Sequence, residues 1–153
     1  MQYGIEIDGI KDFNKYMKKV EKGTRDAIVR ATAETATKIQ GDARRAAPVD
    51  TGQLRIKIQQ RVTDKVGVVW SGAKYSEDVE FGREDGTWAN PYELMGWVKR
   101  NLKVPRSKLK SVTFLVNRKI YEFGTKARPY FFPAVEKHEK RYVKRIMQLI
   151  KKI

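Results

Sequence analysis

Ala47-Pro48-Val49-Asp50-Thr51-Gly52-Gln53-Leu54-Arg55 is the stretch where a long helical pattern stops and an alternating, strand-like pattern begins. Pro48 lacks the N–H that a continuing helix needs and pushes the residue before it out of the α region, so the helix ends here. Asp50, Thr51 and Gly52 then read as the turn. A short Asp side chain accepts a bond from a backbone N–H two residues on, and Gly52 can take a positive φ that a residue with a Cβ resists. Leu54 is the first apolar side chain after the turn, and Arg55 follows it. The reading is a helix-to-strand corner.

Upstream of this corner, apolar and small residues recur every three or four positions: Phe13, Met17, Val20, Ile28, Ala31, Thr35, Ile39, Ala43 and Ala46. They form one face of a helix. Gly23-Thr24 lies inside it at a cost of about 1 kcal/mol against alanine, which predicts a kink or a short break. The small residues on the later part of the face permit close approach of another helix. Before this helix, Tyr3, Ile5 and Ile7 alternate with polar or small residues, a short strand closed by Asp8-Gly9.

Downstream, Ile56, Ile58 and Val62 alternate with Lys57, Gln59 and Arg61. Thr63-Asp64-Lys65 offers a turn, and Val66, Val68 and Trp70 alternate again, which predicts a hairpin with one wet face. Val79 and Phe81 suggest a third strand. Asn90-Pro91-Tyr92-Glu93 is a helix start, with Asn at the cap and Pro in the first turn, followed on one face by Leu94, Trp97, Val98 and Leu102. Ser107 is placed to cap a second helix with Leu109, Val112, Val116, Ile120 and Phe123 on its apolar face and Gly124 as its left-handed C-terminal residue. Pro129 and Pro133 keep the next segment extended. Pro133 then opens a last helix with Val135, Tyr142, Val143, Ile146, Leu149 or Ile150, and Ile153 inward, and Lys137, Lys140, Arg141, Lys144, Arg145, Lys151 and Lys152 outward. The triplet Glu-Phe-Gly occurs at Glu80 and again at Glu122, too short to argue duplication.

The expected fold is α+β: a small antiparallel sheet packed by the long N-terminal helix and the C-terminal helix, with two short helices between the strands and the C-terminal helix. At 153 residues this is one domain, 1–153.

Composition narrows the chemistry. There is no cysteine, which excludes disulfides, thiolate metal sites and a cysteine nucleophile, and suits a reducing cytosol. No run of about 18 apolar residues exists to span a membrane, and the N-terminal stretch lacks the pattern of a signal peptide. The formal charge is +15, and the residues from Pro91 to Ile153 hold 17 of the 33 basic side chains but only 4 of the 18 acidic ones. A field of one sign favours a polyanion or an acidic protein face, or else forms a solvated surface. The acidic set Glu77, Asp78, Glu80, Glu84 and Asp85 has no EF-hand spacing. His138 has no partner histidine at metal spacing, and the phosphate-loop, nucleophile-elbow and dinucleotide motifs are absent. No Asp or Glu is followed two residues later by Lys, as a common nuclease signature requires. No enzyme activity, metal site or cofactor is therefore expected.

A helix running into A-P-V-D-T-G-x-L-R resembles the gene-product-ten-like family of siphophage tail components (HK-ninety-seven type). Tyr75 to Gly82, reading Y-S-E-D-V-E-F-G, is similar to the family's second block, and Ile120 to Ala134, reading I-Y-E-F-G-T-K-A-R-P-Y-F-F-P-A, to its third. The blocks come in the family's order. The resemblance implies a virion protein of a tailed bacteriophage or prophage, a head-tail connector or tail completion protein at the neck or upper tail. It would sit in the virion after assembly in the host bacterial cytoplasm, in an oligomeric ring of its own copies and against other neck or tail proteins.

Three groups of candidate residues follow. Pro48, Asp50, Thr51, Gly52, Leu54 and Arg55 form the structural motif. Tyr130, Phe131 and Phe132 are either a partner-facing anchor or a plug in the core. Lys137, Lys140, Arg141, Lys144 and Arg145 form a candidate basic surface, and the alternative function is a nucleic-acid-binding module using this C-terminal third, with non-specific DNA contact.

Overall fold

The computed structural model describes residues 10–64 and 66–153; the expected strand at Tyr3 to Ile7 lies outside them. Helix α1 runs unbroken over Ile10–Ala46, through Gly23. The predicted break is absent, and Gly23 instead allows a close approach. A Cβ there would lie 2.9 Å from Cγ2 of Ile153, so the missing side chain is the seat of the C-terminal residue. The buried face of α1 is made of Ala27, Ala31, Ala36 and Ala43, while Phe13, Met17, Ile28 and Ala46 of the expected face are exposed.

α1 stops before Pro48, and a one-turn helix α2 (Gln53–Ile56) intervenes before strand β1 (Ile58–Val62). Leu54 therefore enters the core from a helix, and Ile56, expected inward, is exposed. β1 pairs antiparallel with β2 (Gly67–Ser71), Gln60 opposite Val69 and Val62 opposite Gly67. The hairpin and the face of β1 match expectation, but β2 presents the opposite face. Val69 and Ser71 turn inward and Val68 and Trp70 outward. Close approach to α1 decides this: a Cβ at Gly67 would lie 2.5 Å from Cγ2 of Thr32, so small residues face the helix.

The predicted third strand is instead helix α3 (Ser76–Phe81). A strand would send Val79 and Glu80 to opposite faces, whereas here Glu80 is buried and Val79 packs against the core. α4 (Pro91–Asn101) starts as expected, with Asn90 Oδ1 accepting from the N–H of Tyr92 at 3.0 Å. A 3₁₀ turn (Arg106–Lys108) leads into α5 (Leu109–Phe123). Ser107 lies inside that turn and makes no cap, and Phe123 is exposed. Gly124 has the expected positive φ of 64°, but its ψ of −160° lies outside the left-handed helical region.

α6 (Phe132–Ile150) runs antiparallel to α1, from His138 beside Asp42 to Arg145 beside Glu34. The Tyr142 hydroxyl lies 2.9 Å from that of Thr32. Val143, expected inward, is 62% exposed. α1 thus lies between the hairpin and α6. One core cluster joins Ala43, Leu54, Ile58, Tyr130 and Ala134, and a second joins Ala27, Ala31 and Leu149.

Candidate assembly surfaces and the groove between the long helices

The corner closes on itself through its charged residues. Gly52 has φ 79°, as its place in the turn requires. Arg55 turns back to cap the end of α1, donating from Nε to Ala47 O at 3.1 Å and from Nη2 to Arg45 O at 3.4 Å. These carbonyls have no partner inside their own helix. Asp50 is not spent on a local turn. Its carboxylate accepts from Nε and Nη2 of Arg100 and from Nδ2 of Asn101, tying the corner to the end of α4. The Arg100 hydrogen bond holds this carboxyl below its ordinary range. Leu54 is 3% exposed, Pro48 half-buried and Thr51 exposed.

Glu80 joins the second and third blocks of the sequence. Its Oε2 accepts from the backbone N–H of Tyr130 at 2.8 Å and of Phe131 at 2.9 Å, and its Oε1 from that of Phe132 at 2.9 Å. These are N–H groups at the start of α6, where a carboxylate also complements the helix dipole. The two Glu-Phe-Gly triplets meet just beyond. Each ends a helix at a glycine of positive φ, and Arg83 and Thr125, the residues after the glycines, exchange backbone bonds of 3.1 and 2.8 Å. Neither partner of Glu80 nor this bridge was readable from spacing; the repeated triplet was its one visible trace.

The aromatic segment divides. Tyr130 is 1% exposed and belongs to the core, Phe131 is half-buried against it, and Phe132 is 52% exposed. Phe132 pairs with the exposed Phe81 at a centroid separation of 5.5 Å.

The five basic residues of α6 also divide. Lys137 Nζ donates to Asp42 Oδ2 at 2.7 Å, sharing that carboxylate with Arg45 and with His138 Nε2 at 2.8 Å. The Lys137 bond, then those of His138 and Arg45, hold Asp42 far below the carboxylate range. Arg145 donates from Nε and Nη2 to Glu34 at 2.7 and 3.0 Å, which holds the Glu34 carboxyl down at about 2. Lys140, Arg141 and Lys144 are exposed and unpaired among the described residues. Between α1 and α6 runs an open groove of about 760 Å³ lined by Lys38, Arg45, Lys137, Arg141, Lys144 and Arg145.

Large apolar side chains are exposed elsewhere. Phe13, Tyr16 and Met17 share the first turns of α1; Phe114 and Leu115 lie on α5; Val68 and Trp70 lie on the outer face of the hairpin. Trp88 stacks on Tyr121 at 4.8 Å and on Phe114 at 6.1 Å with all three rings open to solvent. Among the described residues no cluster of His, Cys, Asp or Glu could hold a metal ion, and no helix is long and apolar enough to cross a membrane.

No curated protein and no solved structure matches the chain significantly. Residues 11–82 match the family described as "Bacteriophage HK97-gp10, putative tail-component". The matched segment takes in nearly all of α1, the corner, the hairpin and α3 with Glu80, and ends at Gly82; the third block lies beyond it. This segment, just under half of the chain, is what the protein shares with that family of bacteriophage tail components.

Proposed function

We propose that this protein is a non-catalytic structural component of the neck or upper tail of a long-tailed phage, acting in tail completion or head-tail joining as part of an oligomeric ring. The observation that carries the reading is the set of large apolar side chains left exposed in patches on α1, α5 and the hairpin. Surfaces of this kind mark protein interaction sites. In this reading Phe132 and Phe81 are the part of the aromatic segment offered to a partner, while Tyr130 secures the core. Copies of the chain and other neck or tail proteins cover the patches in the virion, after assembly in the host cytoplasm.

The test is complementation of a phage lacking this gene with the variant Phe114→Ser/Leu115→Ser. Both side chains are about 60% exposed and Phe114 gives up only its outer stack on Trp88, so the variant should stay folded, which its melting temperature checks. The yield of joined, infectious particles should fall more than about ten-fold, the effect of losing one interface contact of about 1.4 kcal/mol. Full complementation by this variant and by a matching Phe13→Ser/Met17→Ser variant would reject the reading.

A further inference from the structure

The groove between α1 and α6 gathers several unneutralised positive charges. Six cations line it against Asp42 and, beside it, Glu34. Asp42 already serves Lys137, Arg45 and His138, and Glu34 serves Arg145 and Arg30. Lys38, Arg141 and Lys144 have no partner among the described residues. We propose that this groove is a docking site for the phosphodiester backbone of duplex DNA.

Three observations select that occupant. The groove walls carry no Phe, Tyr, Trp or large aliphatic side chain, whereas protein interfaces are anchored on such residues. The neutral groups between the cations, Thr35 and Gln148, supply hydrogen-bond donors suited to phosphate oxygens. The cations extend along both walls. Lys137 to Lys144 spans about 10 Å of α6 and Lys38 to Arg45 about 10 Å of α1, at 1.5 Å per residue. That is the length of about three phosphates of one strand at 3.4 Å each. Each copy in a ring would bring a further +15, and that concentrated positive field favours a polyanion in the groove over a second copy of the same sign.

The site differs from a basic face of α6 alone. Lys38 and Arg45 come from α1, and the groove exists only where the two helices pack. Small residues at Gly41 and Thr35 leave its floor open.

Fluorescence anisotropy with a labelled 20-base-pair duplex of arbitrary sequence, from 50 to 300 mM salt, tests the proposal. The wild-type chain should bind with a log-log salt slope of about −3 to −5, as for three to five neutralised phosphates. The variant Lys38→Gln/Arg141→Gln/Lys144→Gln breaks no contact of the fold, so its melting temperature should hold. Its affinity should drop more than about ten-fold and its slope flatten by about 2 to 3. The charge-matched variant Lys99→Gln/Lys108→Gln/Lys119→Gln should bind within about two-fold of wild type. An equal loss in both variants would overturn the proposal by making the binding a matter of net charge. So would absence of binding at 50 mM salt, or a polyglutamate peptide that binds as tightly as the duplex.

Discussion

Glu80 supplies the acceptor that α6 lacks at its own start, where no side chain of its own first residues makes a cap bond. Removing it leaves three N–H groups of the aromatic segment without their acceptor. Glu80→Ala should destabilise the protein by about 3 kcal/mol or more, measured by urea unfolding, since bonds to a charged group contribute about 1.5 to 3 kcal/mol each. The glycines offer a graded comparison. Gly52 has positive φ but open space around its Cα, so Gly52→Ala should cost only the left-handed conformation, about 1 to 2 kcal/mol. Gly124 also has positive φ, and a Cβ there would meet Arg83 O at 2.1 Å. Gly124→Ala should cost clearly more than Gly52→Ala in the same unfolding series, because it must also break the Arg83–Thr125 bridge. Gly52 and the Asn90 cap were legible in the sequence because each acts within a few residues of itself. Glu80, Asp50 and Arg100 were not, since their partners lie some 50 residues away.

At the scale of elements, the end of α1 before Pro48, the start of α4 at Asn90-Pro91, the end of α5 at Gly124 and the start of α6 near Pro133 were readable, whereas α2 after Gly52 and α3 before Gly82 were not. Faces were less so. Alternation located β2, yet both of its faces carry valine, and only the nearness of α1 assigns the smaller set inward. In the same way Val79 and Phe81 fit a strand by period, while the need to bury Glu80 against the start of α6 favours a helix. The packing of α1 on α6 carries a pH dependence. Glu34 has a folded pKa of about 2 against an ordinary 4.5, mainly through the Arg145 hydrogen bond. A depressed carboxyl contributes its stability fully above its unfolded pKa and loses it as pH falls through the folded one. Stability should therefore be flat from about pH 7 to 5 and decline from about pH 4.5 toward 2. Glu34→Gln should lower stability at pH 7 and flatten that decline, with thermal melts across the range as the measurement; an unchanged acid slope would separate Glu34 from acid sensitivity.

At the scale of the whole molecule, the charge gradient along the sequence foretold a basic surface on the last helix, and the structure divides that surface. Lys137 and Arg145 hold α6 to α1, and Lys140, Arg141 and Lys144 remain exposed. What the sequence could not convey is how much apolar surface stays uncovered, because that depends on which faces find partners inside the fold. Phe13 and Met17 have the spacing of core residues and lie in the open. In the proposed role these faces are covered only by neighbouring proteins, and the loss of the protein should be visible in the particle. Electron microscopy of particles assembled with and without this gene tests that most directly. Heads and tails that accumulate unjoined, or tails of irregular length, are the predicted result without the protein. Normal, infectious particles without it would contradict the structural role.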